Sequence, residues 1–140
     1  MVRFWDTSAI IPLVALEETT PLIREILAAD RNVIVSFLTT VEITSAIWRK
    51  SRETKDDDAR RESERRVRDF LEPHWTVVDE VEPIARIARR LLTQHPLRTA
   101  DAINLAAAIH IARDPEALPF VTNDKRLKSA AQSEGFPTLP

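Results

Sequence analysis

The sequence predicts an α/β fold with a mainly parallel sheet, built as a single domain over residues 1–140. Short apolar runs typical of buried strands alternate along the chain with longer segments of helical periodicity. A length of 140 residues fits one compact domain, and 44% hydrophobic residues are enough for a core without covalent cross-links. No internal repeat, linker or low-complexity segment divides the chain.

The composition excludes several kinds of site and partner. The absence of cysteine excludes disulfides, cysteine-based zinc sites and thiol nucleophiles, and the single glycine, Gly135, excludes glycine-rich phosphate loops. A net charge of −2 gives no overall attraction for nucleic acid, so such affinity must come from a local basic patch or a metal. We expect no membrane span and no signal peptide, and therefore a cytoplasmic protein.

The first third of the chain predicts two strands and three helices. β-branched and apolar runs mark the strands, and apolar residues at helical spacing mark the helices. Thr7 or Ser8 would cap the first helix, which tolerates Pro12 in its first turn. Thr39 and Glu42 have the spacing of a capping box for the third helix. The predicted order is strand 2–5, helix 9–14, helix 20–29, a turn at 30–32, strand 33–36 and a helix from 39 to about 51.

The rest of the chain begins with a charged segment and then returns to alternating strands and helices. Residues 52–69 are almost all charged with mixed signs, which predicts a solvent-exposed helical hairpin joined by ion pairs one turn apart. The remaining elements are strand 75–78, helix 82–93, helix 100–109, strand 118–122, helix 125–132 and an edge strand at 137–139. The whole pattern indicates a sheet of four or five strands flanked by about seven helices.

The segment 97–109 predicts a buried helix that carries a carboxylate. From Ala100 onward it is apolar except for Asp101 and Asn104, and a helix that is apolar all round is a buried one. Asp101 and Asn104 are three residues apart and share one stripe of this helix. With Thr99 as N-cap, Asp101 would lie in the first turn, where the helix dipole favours negative charge. On this segment alone, a helix-start role and a site role for Asp101 are equally open.

Four acids follow strands or open helices at corresponding places. Asp6 and Asp124 end the first and fourth strands, and Glu42 comes just after the second. Asp101 opens the buried helix before the fourth strand. Because sites in parallel sheets form outside the carboxyl ends of the strands, we expect all four at one edge. Taken singly, Glu42 fits a capping box, Asp124 a helix N-cap and Asp6 an Asx turn, but their joint placement favours a common site.

A cluster of four carboxylates predicts a divalent cation. At ~4 Å and an effective dielectric near 20, each like-charge pair costs about 4 kcal/mol, and a cation reverses that sign. Oxygen-only ligands suit Mg²⁺ or Mn²⁺. Such a site without phosphate loops fits metal-assisted hydrolysis of phosphodiesters, in which the metal activates a water and a carboxylate takes its proton.

Four segments of the sequence resemble the PIN-domain ribonucleases, and within them the VapC-type toxins of bacterial and archaeal toxin–antitoxin pairs. The segments are 6–9, 40–42, 97–106 and 120–127, and the L-R-T-x-D-A block at 97–102 is the most specific of them. The resemblance spans essentially the whole chain. It implies a PIN-like three-layer sandwich and a Mg²⁺- or Mn²⁺-dependent endoribonuclease that cleaves RNA. It also implies a homodimer and a small cognate antitoxin as protein partner.

The resemblance also assigns roles to individual residues. It implies that the catalytic and metal-binding acids are Asp6, Glu42, Asp101 and Asp124. It places behind them a supporting or water-orienting set of Thr7, Ser8, Thr122 and Asn104. Asn104 departs from the family pattern, since many relatives carry histidine there, and its role is open. Whether Asn123 shares the task of Asp124 is also open.

Basic and aromatic residues near these segments have two interpretations each. Arg98, Lys125 and Arg126 neighbour site acids, so contact with RNA phosphates is about as well supported as a solvated surface. Trp48 has a functional interpretation, in which it stacks on an RNA base, and a structural one, in which it belongs to the core or to a partner surface. We favour the structural interpretation. The three histidines show neither metal-ligand spacing nor a nucleophile partner and are interpreted as structural.

Two other functions fit the same fold class. One is a catalytically silent PIN-type scaffold that only binds a partner, against which the four intact acids argue. The other is a receiver-like phospho-acceptor domain, which also gathers acids at strand ends. A receiver predicts an acid pair after the first strand, where Asp6 stands alone, and Asp79 after the third strand has no matching Thr/Lys set.

Overall fold

The computed structural model describes residues 2–15, 20–29 and 32–140, and it has the predicted α/β architecture. Within this part of the chain, five parallel strands form one sheet in the order β3-β2-β1-β4-β5. The strands are β1 Arg3–Trp5, β2 Val33–Ser36, β3 Trp75–Val78, β4 Phe120–Val121 and β5 Thr138–Leu139. The mainly parallel sheet of four or five strands is thus confirmed.

Seven α-helices flank the sheet in the described residues, as the sequence indicates. They are α1 Thr7–Ala15, α2 Thr20–Ala29, α3 Thr39–Thr54, α4 Asp57–Arg66, α5 Val81–Gln94, α6 Thr99–Ile111 and α7 Lys125–Ser133. A π-helical turn, Val67–Leu71, follows α4, and short 3₁₀ turns lie at Glu72–His74 and Pro115–Ala117. None of the helices in this part of the chain combines the length and apolar character that crossing a bilayer requires. The turn predicted at 30–32 falls on residues 30 and 31, which lie outside the described residues.

Two hydrophobic cores, one on each face of the sheet, make the molecule a three-layer sandwich. Successive strand residues point to opposite faces, so Phe4 joins the core under α5, α6 and α7, and Trp5 joins the one under α1, α2 and α3. The rings of Phe4 and Phe120 stack across β1 and β4 with centroids 5.5 Å apart. Both cores contain residues of β1 and β4, so packing on the two faces of the sheet fixes these strands and positions the residues that follow them.

The strand order places a topological switch point beside β1. The chain runs from β1 outward through β2 and β3, and then returns to add β4 and β5 on the other side of β1. Trp5 is in register with Val121, so both strands end at the same level. Asp6 and Thr122 therefore leave the sheet side by side, at the place where open parallel sheets form their sites.

Two predicted helix starts are wrong in detail, and both errors involve site residues. The capping box at Thr39 and Glu42 does not form, because the N-cap of α3 is Leu38 and the Glu42 carboxylate turns to other partners. The N-cap of α6 is Arg98 rather than Thr99, without a side-chain cap, although Asp101 does lie in the first turn. At the start of α3, a hydrogen-bond network at the sheet edge has overridden the local capping preference.

Helix α1 begins two residues earlier than predicted, so Pro12 lies in its interior and not in its first turn. A proline there removes the backbone hydrogen bond to the carbonyl four residues before it, which is that of Ser8. The Asn123 side chain replaces the missing donor, with its Nδ2 3.2 Å from Ser8 O. The early helix start is thus tied to the loop after β4.

The predicted charged hairpin at 52–69 is confirmed as the end of α3, helix α4 and the turn between them. Lys55 adopts a left-handed conformation, φ 53°, and ends α3. Asp56 then caps α4 by accepting a hydrogen bond from Ala59 N at 3.0 Å. Helix α4 has no fully buried residue, and hydrogen bonds from Ser63 and Arg66 to Val14 O attach it to α1 in addition to its capping and ion pairs.

Candidate active site

Asp6, directly after β1, is the most enclosed carboxylate of the site, with 3% of its surface exposed. Its Oδ2 accepts hydrogen bonds from Ser8 N at 3.2 Å, from Ser8 Oγ, and from Thr122 Oγ1 at 3.1 Å. Its Oδ1 accepts one from Asn104 Nδ2 at 3.0 Å. Burial, and secondarily the negative charge of Glu42, raise the pKa of Asp6, and the hydrogen bonds from Ser8 and Thr122 partly oppose this. All of the hydrogen-bond donors to Asp6 are neutral, so they position its carboxylate without neutralising the negative charge.

Glu42, in the first turn of α3, shares a hydrogen-bond donor with Asp6. Its Oε1 accepts from Asn104 Nδ2 at 3.1 Å and from Thr7 Oγ1 at 2.8 Å. Thr7 Oγ1 also lies 3.4 Å from Thr39 Oγ1. One amide nitrogen of α6 therefore joins two carboxylates that come from β1 and α3, 36 residues apart in sequence.

Asn104 is buried and is held from behind by a residue that the sequence analysis missed. Ser36, the last residue of β2, is fully buried and donates from its Oγ to Asn104 Oδ1. Ser36 Oγ in turn accepts from Leu38 N at 3.2 Å. The available signal was position, because Ser36 is the one polar residue that ends an apolar strand at the edge where sites form.

Asp101 lies in the first turn of α6, half-buried and one turn before Asn104. Burial raises the pKa of its carboxyl, and repulsion from Asp6 and Asp124 raises it further, while Arg98 acts in the opposite direction. Asp101 therefore shares the electrostatic environment of Asp6 and Asp124. Electrostatic repulsion links Asp101 to the other acids, whereas Asp6 and Glu42 are linked by a shared hydrogen-bond donor.

Asp124 and Asn123 divide two tasks in the loop between β4 and α7. Asp124 is the N-cap of α7 and accepts from Leu127 N at 3.0 Å, so its local role as a helix cap is real. Asn123 clamps Ser8: its backbone N donates to Ser8 Oγ at 2.9 Å and its Nδ2 donates to Ser8 O. Ser8 is thereby held in place to donate to Asp6. Asn123 supports the site from behind.

The four acids Asp6, Glu42, Asp101 and Asp124, hereafter the acid edge, lie together but do not converge on one point. None of them forms a salt bridge with a described basic residue. Equally, no three His, Cys, Asp or Glu side chains in residues 2–15, 20–29 and 32–140 are arranged so as to hold a metal ion. The reason is visible in their partners: Asp6 and Glu42 turn toward Asn104, and Asp124 toward the backbone of α7.

The donor chemistry of the acid edge nevertheless fits a hard divalent cation. Every potential ligand atom is a carboxylate oxygen, the set preferred by Mg²⁺ and Mn²⁺. Negative charge is concentrated and partly buried without a cationic partner, and burial together with mutual repulsion raises the pKa of both Asp6 and Asp101. A cation at this edge would relieve that repulsion.

Exposed basic residues flank the acid edge. Arg98 precedes α6, and Lys125 and Arg126 open α7, so each neighbours one of the acids in sequence. Trp48, on α3, is 39% exposed, and the Arg60 guanidinium lies over its ring, 4.5 Å from the centroid. One face of this indole is thus already covered by a cation.

A separate groove of about 830 Å³ opens between α1, α3 and α4. Apolar residues of α1 and α3, such as Ile11 and Ile47, line one side, and charged residues of α4 line the other. None of the acid-edge residues lines this groove. The chemistry and the groove therefore occupy different parts of the surface.

Comparison with known proteins relates the chain to one family. Residues 3–132 match the PIN domain. The chain is 31% identical over 139 residues to Ribonuclease VapC47 of Mycobacterium tuberculosis (strain CDC 1551 / Oshkosh), covering 96% of this chain and 93% of that protein. The residues that match the PIN domain span the positions of all four acid-edge residues.

Solved structures agree with this at the level of the fold. The crystal structure of FitAcB from Neisseria gonorrhoeae superposes with a TM-score of 0.74 at 16% identity, covering 100% of this chain and 97% of the other. VapBC2 from Rickettsia felis, solved bound to a DNA fragment from its promoter, gives a TM-score of 0.67 at 14% identity, covering 99% and 98%. At these identities the likeness establishes the shared architecture.

Proposed function

Because the chain belongs to the PIN domain family, and within it to the VapC type, we propose that it is a metal-dependent endoribonuclease and the toxin of a type II toxin–antitoxin pair. The observation that carries the proposal is the pairing of Asp6 and Glu42 on the single amide nitrogen of Asn104. Holding two like charges together in a partly buried place costs free energy unless a counter-charge offsets it, and a bound cation would supply that counter-charge.

Asp6, Glu42, Asp101 and Asp124 are the residues that would hold Mg²⁺ or Mn²⁺. When bound, the ion would polarise the scissile phosphate and lower the pKa of the attacking water. The chain supplies rigidity: Ser8 and Thr122 fix Asp6, while Thr7 and Asn104 fix Glu42. Neutral donors thus hold Asp6 and Glu42 next to each other before an ion or a substrate arrives, which lowers the entropy cost of binding.

The basic residues beside the acid edge suit the RNA backbone. Arg98, Lys125 and Arg126 are exposed, so their charges are available to phosphates on either side of the scissile bond. With a net charge of −2, the protein depends on such local contacts and on the bound cation to draw RNA to an acidic edge.

The proposed biological setting follows from VapC-type membership. It comprises a homodimer in the cytoplasm and a small cognate antitoxin that suppresses the nuclease. A short reading frame immediately upstream of this one, encoding a small DNA-binding protein, is the genomic arrangement that we expect.

Cleavage of total RNA by the purified protein tests the proposal. With Mn²⁺ or Mg²⁺ added, we expect defined fragments, no cleavage in excess EDTA, and recovery when metal is returned. Asp101→Asn should stop both cleavage and the growth arrest caused by expression, while Asp58→Asn on the exposed face of α4 should behave like the wild type.

A folded, metal-loaded wild type that leaves RNA intact and is harmless when expressed would exclude the nuclease toxin. Binding to an antitoxin-like partner without cleavage would then identify a catalytically silent scaffold. Incorporation of phosphate from a small phosphodonor would instead indicate the receiver-like function.

A further inference from the structure

Ser36 stands at the start of a directed chain of hydrogen bonds that ends on two acids. Leu38 N donates to Ser36 Oγ, and Ser36 Oγ donates to Asn104 Oδ1. Asn104 Nδ2 then donates to Asp6 Oδ1 at 3.0 Å and to Glu42 Oε1 at 3.1 Å. The chain links the ends of β1 and β2 to α3 and α6.

The direction of each hydrogen bond is fixed by the chemistry of its ends. Leu38 N can only donate, so the Ser36 hydroxyl accepts from it and keeps its own proton for Asn104. The carboxylates of Asp6 and Glu42 can only accept when ionised, so they require the NH₂ side of the amide. A flipped amide would set its oxygen against two carboxylates, and the observed orientation is the one compatible with both ends.

Ser36 fixes the position of the Asn104 amide oxygen. The two carboxylates do not fix it, because they accept hydrogen bonds from the amide nitrogen only. Asn104 is 1% exposed, so water does not reach Oδ1 to replace the serine. A buried acceptor without a donor is costly, and the side chain would rotate to find another one. That rotation would carry Nδ2 away from one or both carboxylates.

We propose that Ser36 is a positioning residue that acts through Asn104 to set the separation of Asp6 and Glu42 before ion or RNA binds. Ser36 itself touches neither acid, so it is not a catalytic residue. The inference deepens the proposed nuclease function and rests on it, because the geometry being set is that of the proposed metal ligands. A group that orients ligands from behind commonly changes metal affinity about 10- to 100-fold when removed.

Mn²⁺ binding to the purified full chain tests this, measured by electron paramagnetic resonance or calorimetry. Ser36→Ala should weaken Mn²⁺ binding by about 10- to 100-fold, and Ser36→Thr, which keeps the hydroxyl, should restore most of it. Ser51→Ala, which removes the same atom from a buried site on α3 remote from the acid edge, should bind Mn²⁺ like the wild type. Equal affinity of Ser36→Ala and Ser51→Ala would overturn the inference.

A double-mutant cycle separates a relay through Asn104 from a general structural effect. In an Asn104→Ala background, Ser36→Ala should cause no further loss of Mn²⁺ affinity, because the residue through which it acts is gone. The side-chain NH₂ signals of Asn104 in the NMR spectrum of the metal-free protein should also shift in Ser36→Ala and return in Ser36→Thr. Losses that simply add in the double variant, with unshifted Asn104 signals, would contradict the relay.

Two further outcomes keep this test separate from that of the nuclease function. If the wild type neither binds Mn²⁺ nor cleaves RNA, the proposed function fails and the inference fails with it; if it does both and Ser36→Ala is unchanged, only the inference fails. Should Ser36→Ala not fold by circular dichroism, Ser36→Cys replaces it, since a thiol keeps the size with a weak donor. Weaker Mn²⁺ binding by the cysteine than by the threonine variant supports the relay, and equal binding overturns it.

Discussion

The acid edge and helix α4 are both rich in charged side chains, but they handle charge in opposite ways. On α4, arginines pair with acids one turn away, at 3.1 Å for Arg60–Glu64 and 2.7 Å for Arg65–Glu62. At the acid edge, neutral donors hold the carboxylates and no described cation pairs with them. A high density of charged residues therefore does not by itself indicate a site, and the candidate site consists instead of a few carboxylates that lack a cationic partner among the described residues.

The pKa directions express the same contrast. The hydrogen bond from Arg65 is the largest influence lowering the pKa of the Glu62 carboxyl on α4, and the Arg66 charge adds to it. At the acid edge, burial and like charges raise the pKa of Asp101. On α4 the fold stabilises the ionised acid, and at the acid edge it destabilises the ionised acid, which supports the proposal that a cation binds there.

The largest effect that we expect comes from removing the central carboxylate. Asp6→Ala should reduce RNA cleavage with Mn²⁺ by about 10³-fold or more, the scale found when a group central to catalysis is removed. Single-turnover cleavage rates at saturating Mn²⁺ measure this. Asp58→Ala, an exposed acid of α4, serves as matched control and should cleave at the wild-type rate. If both variants cleave equally well, the acid edge is not the active site.

The next largest effect tests the amide that joins two acids. Asn104→Ala should weaken Mn²⁺ binding and RNA cleavage by about 10- to 100-fold, because Asp6 and Glu42 lose their common donor. Asn104→Asp should be worse than Asn104→Ala despite its nearly identical shape, since it places a third negative charge between the two. Calorimetric Mn²⁺ affinities of the two variants decide this. An aspartate variant that binds Mn²⁺ more tightly than the wild type would show instead that position 104 is an ion ligand.

A smaller effect, on stability, follows from the raised pKa of Asp101. The folded protein holds this proton more tightly than the unfolded chain, whose ordinary value is 3.8. The stabilisation from the protonated form is therefore present below that pH and is lost as pH rises through the raised pKa. At pH 7 Asp101→Asn should raise the Tm of the metal-free protein by about 2 °C, a modest shift because Asp101 is half-exposed and solvent screens its charge.

The pH dependence and the metal dependence of this shift provide its controls. The Tm gain of Asp101→Asn should shrink as pH falls through the raised pKa of Asp101, because the wild-type carboxyl then takes up its proton. Saturating Mn²⁺ should reverse the order of the two Tm values, because only the wild type keeps the full ligand set. Scanning calorimetry measures both. A gain that is the same at pH 4 and pH 7 would show that charge is not its cause.

The contrast between the acid edge and α4 also explains which features of the structure can be predicted from the sequence alone. The strands β2 and β3 and the helices at 20–29 and 82–93 follow from local apolar periodicity, and the structure agrees with them to within a residue or so. The gathering of the acids at one edge follows from the parallel topology. These features depend on near neighbours in sequence or on a general rule of sheets.

The side-chain network could not be predicted in the same way. The capping box expected from Thr39 and Glu42 fails because Glu42 has a better partner in Asn104, 62 residues away. The role of Ser36 depends likewise on α6, and no local pattern encodes a contact between residues so far apart. Long-range polar contacts overrode local preferences specifically at the acid edge, whereas the local prediction for α4 held.

The smallest expected effect concerns α4, where acids are paired with arginines, in contrast to the acids of the acid edge. Glu62→Gln removes the acid that pairs with Arg65 at 2.7 Å and with Arg66 at 3.3 Å. Because these ion pairs are exposed and screened, the Tm at pH 7 should fall by only about 1 °C or less, with RNA cleavage unchanged.

The pH dependence of this Tm difference has the opposite sign to that of Asp101→Asn. The Glu62 pKa is lowered, so the stabilisation from its ionised carboxylate is present above the ordinary value of 4.5 and is lost as pH falls. Salt at 1 M should remove the small Tm difference as well. A large loss of cleavage in Glu62→Gln, measured beside Asp58→Asn, would mean that α4 belongs to the functional surface and that its paired charges do more than hold a helix together.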